Sequence, residues 1–185
     1  MSPWVIAKRK EMFRGKLFRC EEVESSSASA QKTGIFELLH FAHWVNVIAL
    51  TPEKNMILVR QWRHGNSLFT LEFPGGAVDH GEHSFETAAQ RELLEETGYQ
   101  AQSMHVLGEV LPNPAFMTNK CTTFLALDCH RVADLALDPM EEIEVIEKPL
   151  RNLGELIQTP AMSHALIVAA AGLLMVKRPD LFARN

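Results

Sequence analysis

Hydrophobic and polar positions follow two periods along this chain, and the change between them falls near residue 73. Upstream, residues 4–7, 16–20, 34–41, 44–50 and 56–62 are rich in aromatic or β-branched side chains and read as strands. The runs 44–50 and 56–62 are nearly continuous in apolar residues, which predicts central strands of a sheet. Thr51-Pro52-Glu53-Lys54-Asn55 is a turn signal between those two strands, and the polar run 25–30 predicts an exposed hairpin loop. Downstream, residues 85–97 contain no Gly or Pro and consist mostly of good helix formers. Ser84 is placed to cap that helix and Gly98 to end it. Strands are expected again at 105–111, 121–127 and 143–146, a short helix at 153–158 and a last helix over 161–177. The apolar run 165–176 within that last helix is too short to span a bilayer and predicts a buried helix.

The helix at 85–97 carries the first candidate chemistry. At about 100° per residue, Glu95 and Glu96 lie roughly 60° to one side and 40° to the other of Glu92. Three carboxylates therefore share one face. Ala88 and Ala89 one turn earlier are small and are expected to leave room in front of it, while Leu93 and Leu94 dock the helix on a core. Packed carboxylates repel one another, and a divalent cation removes that conflict; hard oxygen ligands suit Mg²⁺ or Mn²⁺. A solvated acidic helix face with Arg91 as a surface partner is the bland alternative. Before the helix, Gly75-Gly76 forms a turn whose backbone can approach a ligand closely, and Asp79-His80-Gly81 forms a second turn.

Composition narrows the class. The 185 residues suffice for one domain, or one with a small addition. A net charge of −5 does not favour nucleic acid as a partner. The 3 cysteines, Cys20, Cys121 and Cys129, form no CxxC pair and read as reduced thiols of a cytoplasmic protein. The N-terminus is charged and lacks an apolar signal core, and no membrane association is expected.

The stretch 73–99 resembles the Nudix box, the signature of hydrolases that split nucleoside diphosphates linked to another moiety. Gly76, Glu82, Arg91, Glu92, Leu93, Glu95, Glu96, Gly98 and Tyr99 supply its pattern. Eight residues rather than the usual seven separate Glu82 from Arg91, and His83 is the expected insertion. The resemblance implies that Glu92, Glu95 and Glu96, with the Gly75 carbonyl, hold Mg²⁺ or Mn²⁺, that Glu95 also serves the reaction, and that Arg91 orients the glutamates rather than touching substrate.

Val59-Arg60-Gln61-Trp62-Arg63 brings two arginines to a strand end, suited to phosphates or a carboxylate, or merely to water. This segment is similar to the ADP-sugar pyrophosphatase branch of the family. In that branch the arginine here at 63 contacts substrate, and Arg60 accompanies it as a candidate. The branch carries Pro-Ala-Gly where this chain has Pro74-Gly75-Gly76. The loop 111–120 with Pro114 looks like the branch's proline-bearing loop and makes Pro114 a candidate substrate residue. The acidic segment 138–150 corresponds to a mobile loop that delivers a glutamate to the attacking water. Glu141 is the first candidate and Glu142 the second; a solvated acidic loop is the alternative.

The implied fold class is α/β: a Nudix α/β/α sandwich with a mixed β-sheet and an N-terminal antiparallel β region. Residues 1–42 would form that β region and pack against a second subunit, giving a homodimer, with the Nudix hydrolase domain over 43–185. The implied reaction is metal-dependent hydrolysis of a nucleoside diphosphate sugar such as ADP-ribose to a nucleoside monophosphate and a sugar phosphate. Two alternatives stay open: a Nudix pyrophosphatase acting on NADH, dinucleoside polyphosphates or nucleoside triphosphates, and a non-catalytic module that binds nucleotide sugars.

Overall fold

The computed structural model describes residues 2–183, which divide into two compact units. The first holds the N-terminal segment through His43 together with Leu111–Lys120. Its strands β1 (Val5–Arg14), β2 (Phe18–Ser27) and β3 (Lys32–Phe41) form an antiparallel sheet in that order. Half of the polar run 25–30 expected as a loop is strand, residues 25–27. Ser25 pairs with Gly34 and Ser27 with Lys32, both serines are buried, and the turn shrinks to residues 28–31. Composition misleads here because a small hydroxyl side chain fits a covered sheet face as readily as a loop. Glu21 on β2 is buried and bonded by Arg9 at 2.6 Å and by His40 at 3.0 Å. The 111–120 segment is tied to β3 by Leu39 N–H to the Phe116 carbonyl (2.7 Å) and Thr118 N–H to the Leu39 carbonyl (3.1 Å).

The second unit is built on a mixed sheet. Its strands are β4 (Trp44–Leu50), β5 (Asn55–Arg63), β6 (Leu68–Glu72), β8 (Ser103–Val110), β9 (Cys121–Leu127) and β11 (Ile143–Pro149), in the order β11-β5-β4-β9-β8 with β6 also on β5. Two-residue strands β7 (Tyr99–Gln100) and β10 (His130–Arg131) pair separately. Only β4 and β9 run parallel, Trp44 facing Cys121 through Ala49 facing Ala126; the other pairings are antiparallel. One face of the sheet meets α1 (Phe85–Thr97): Val45, Val47, Ala49 and Ile57 pack with Ala88, Ala89 and Leu93. The other face meets α2 (Leu153–Leu156) and α3 (Ala165–Lys177), where Ile48, Leu50, Leu58 and Leu71 pack with Leu153, Ile167, Ala170 and Leu174. Two apolar sheet faces each need a helix layer, and burying each such aliphatic side chain contributes about 1.5–3 kcal/mol.

Several local expectations change. Ala88 and Ala89 do not leave open space beside the glutamates; both are buried against the sheet, their small size bringing α1 close to it. Leu94 is 38% exposed, so Leu93 alone of the two docks the helix. The last helix does not run unbroken from residue 161. Pro160–Met162 is a 3-10 turn, and α3 begins after His164, whose extended backbone and Nδ1, accepting from Leu166 N–H at 3.2 Å, make it the cap. No helix among the described residues is long and apolar enough to cross a membrane.

Candidate active site

The site grows from the turn after β6. Beyond its few pairings with β5, β4 takes a new partner: Val47 N–H donates to the Pro74 carbonyl (2.8 Å) and Val45 N–H to the Gly76 carbonyl (2.9 Å). The turn is thus pressed against β4 on one side and α1 on the other. A Cβ on Gly75 would lie 2.1 Å from the backbone oxygen of Val45, so glycine is required there, and one on Gly76 would lie 2.4 Å from Glu92 Oε1 and would displace that carboxylate. Ser84 fixes the start of α1 by accepting from Thr87 N–H at 3.1 Å, and Gly98 N–H closes it on the Leu94 carbonyl at 2.8 Å. These ends hold the glutamates against the turn, where Gly75 N–H donates to Glu96 Oε2 at 2.9 Å.

The three glutamates have distinct surroundings. Glu96 is 3% exposed, and burial, with the neighbouring charges of Glu92 and Glu141, pushes its carboxyl up to about 8 in spite of the Gly75 bond. Burial likewise pushes Glu92 up to about 7, against the pull of Arg91. Glu95 is half-exposed and bonded to Arg91 Nη1 at 2.9 Å. Arg91 is the hub: the same Nη1 reaches Glu92 at 3.0 Å, Nε reaches Glu82 at 3.0 Å, and Nη2 reaches the Ala77 carbonyl at 3.0 Å. Its bonds to Glu82 and Glu95 raise its own pKa, and they lower that of Glu82. The extra residue at 83 therefore leaves the Glu82–Arg91 pair intact.

The donor set fits a hard divalent cation. Glu92 and Glu96 are carboxylates forced together out of water, and a cation would relieve both burial and repulsion. Among the described residues no three acidic, imidazole or thiol groups already converge as a ligand cluster, and Arg91 Nη1 bonds both Glu92 and Glu95.

The other expected site residues separate. Glu141 lies close enough for its charge to raise both Glu92 and Glu96, and its own Oε2 accepts from Asp138 N–H at 3.3 Å. Arg63 and Arg60 leave opposite faces of β5. Arg60 sits across from Leu71, on the α3 side, with its guanidinium 3.1 Å from Glu144 and 4.2 Å from the Phe69 ring centre. Arg63 shares the α1 side with Ile57, and feels the charges of Glu96 and Glu141. Pro114 lies on the 111–120 segment of the first unit.

Sequence reasoning missed Glu72. It is buried, and Arg63 grips it with Nε and Nη2 at 2.7 Å each, while Thr70 Oγ1 donates to it at 2.5 Å. Burial opposes ionisation of Glu72, but these bonds hold its pKa below the ordinary value. Only the pairing of β5 with β6 could have announced it, and β6 had no strong period of its own.

The pattern defining the NUDIX domain matches residues 42–159. The chain is 30% identical over 172 residues to the ADP-ribose pyrophosphatase of Bacillus subtilis (strain 168), covering 91% of each chain. It is 26% identical over 157 residues to the ADP compounds hydrolase NudE of Escherichia coli (strain K12), covering 85% of this chain and 83% of that one. A solved structure titled "Crystal structure of ADP compounds hydrolase" superposes with a TM-score of 0.84 at 23% identity, covering 97% of this chain and 96% of that one, and so shares the fold.

Proposed function

The chain belongs to the Nudix family, and from that membership we propose that it hydrolyses the diphosphate bond of a nucleoside diphosphate sugar, ADP-ribose or a close analogue, to a nucleoside monophosphate and a sugar phosphate. The observation that carries this reading is the buried Glu92–Glu96 pair on the Nudix helix, with Arg63 and Glu141 bordering it.

Water adds to one phosphorus, the bridging P–O bond breaks, and the other phosphate leaves. Glu141, whose carboxylate borders the pair, takes the proton from the water; Glu142 is its neighbour and the second candidate. Arg63 binds a phosphate oxygen or the sugar end. Arg91 holds Glu82, Glu92 and Glu95 in place. Glu92, Glu95, Glu96 and the Gly75 carbonyl would hold Mg²⁺ or Mn²⁺, which supplies charge neutralisation at the diphosphate and a more acidic water. The protein acts as a cytoplasmic homodimer, a reading supported by unpaired thiols and by the apolar side chains that β1 and β3 leave exposed, among them Ile6, Phe13 and Ile35. Sedimentation at micromolar concentration tests the dimer, and a single 20.8 kDa species would refute it.

The test of activity is a hydrolysis panel with Mg²⁺: ADP-ribose, GDP-mannose, UDP-glucose, NADH, a dinucleoside polyphosphate and a nucleoside triphosphate, with products separated by chromatography. Release of monophosphate from the diphosphate sugars is expected. Turnover of NADH or triphosphates alone would remove the sugar assignment, and silence from folded protein with both Mg²⁺ and Mn²⁺ would remove the enzyme.

A further inference from the structure

We propose that Glu72 is a positioning residue for substrate binding: it fixes the Arg63 guanidinium so that the edge it leaves unbonded is presented to a phosphate of the bound diphosphate. This rests on the reading that the diphosphate lies beside Glu92 and Glu96.

The geometry is specific. Arg63 Nε and Nη2 donate to Glu72 Oε1 and Oε2 at 2.7 Å each, a two-pronged bond that fixes both position and plane. Thr70, two residues back and on the same face, donates to Oε1 and so holds the carboxylate from behind. Oε1 therefore accepts two bonds and Oε2 one, and together they hold the carboxylate in one orientation. The pair is lopsided: the Glu72 side chain is 3% exposed and that of Arg63 is 39% exposed. Glu72 is thus the fixed end and Arg63 the end that meets solvent. Among the described residues Arg63 Nη1 makes no hydrogen bond, and the arginine lies within electrostatic reach of Glu96 and Glu141. An unanchored arginine samples many rotamers and must be ordered when a ligand binds; the Glu72 fork does that ordering beforehand. Because Glu72 cancels most of the arginine's net charge, Arg63 contributes direction more than long-range attraction.

A double-mutant cycle tests this. Arg63→Ala, Glu72→Gln and the double variant are titrated with α,β-methylene-ADP, a diphosphate that is not hydrolysed, in EDTA so that the metal ligands play no part, and KM and kcat are measured separately with Mg²⁺. Glutamine keeps the shape of Glu72 but opposes one arginine N–H with its own amide. Glu72→Gln should weaken diphosphate binding about tenfold and raise KM more than it lowers kcat, and should change affinity less than about twofold once Arg63 is alanine. Thr70→Val, which leaves the charges in place, should weaken binding about threefold and guards against failure of Glu72→Gln to fold. If Arg63→Ala weakens binding but folded Glu72→Gln binds like the unmodified chain, the positioning role is overturned and the substrate role of Arg63 stands. Effects that add in the double variant mark Glu72 as merely structural and also overturn it. Unchanged binding by Arg63→Ala removes the substrate role of Arg63 and, with it, the positioning role of Glu72; whether the chain hydrolyses a diphosphate at all is decided separately by the hydrolysis panel.

Discussion

Glu96→Gln in metal-free protein isolates the cost of the buried acid. The Glu96 carboxyl is 3% exposed, and burial lifts it from the ordinary 4.5 to about 8. The unfolded chain gives up this proton near 4.5, the folded chain near 8, so unfolding releases a proton in between. Stability is therefore fully present below the lower value and falls as pH rises through the window to the upper one. At about 1.4 kcal/mol per unit of pKa difference, the loss between pH 5 and pH 8 is about 3 kcal/mol, or roughly 6–12 °C in Tm for a chain of this size. Glutamine has no proton to lose, and its amide oxygen still accepts from Gly75 N–H. In EDTA, calorimetry across pH 5–9 should show the unmodified protein losing stability steeply and Glu96→Gln losing much less, with Glu92, at about 7, supplying what slope remains. Adding Mg²⁺ should flatten the curve of the unmodified protein, since the ion binds the ionised pair. Parallel curves for the two proteins in EDTA would refute the reasoning.

Other outcomes follow from named contacts. Glu141→Gln should lower kcat by about 10²–10⁴-fold and Glu142→Gln by less than about threefold, read from steady-state rates on the preferred substrate; the reverse order would transfer the base to Glu142. Arg91→Ala strips partners from Glu82 and Glu92 and should cost about 2 kcal/mol of stability in urea unfolding near pH 8. Ser84→Ala removes the cap on Thr87 N–H and should cost about 1 kcal/mol by the same measurement.

The chain's own order determined whatever depends on neighbours within a few residues. The helix at Phe85–Thr97 and its caps Ser84 and Gly98 were legible, as was the placing of Glu92 and Glu96 one turn apart, because i to i+4 bonding and cap chemistry are local. So were β4, β9 and the glycine turn, marked by dense apolar runs and by Gly75-Gly76. Burial was not legible. Glu92, Glu95 and Glu96 look alike in sequence, yet the turn pressing on α1 covers Glu96, crowds Glu92 and leaves Glu95 half in water. Nor was pairing across strands: Arg60 and Arg63 read as one motif, but a strand alternates its faces, so one meets Glu144 and the other Glu72. His164 delays the start of the last helix because its Nδ1 accepts from Leu166 N–H as a cap, a contact that the helix period does not record. Composition and period specify which elements form; only packing of distant segments decides which carboxylates lose their water and which arginine is held in place.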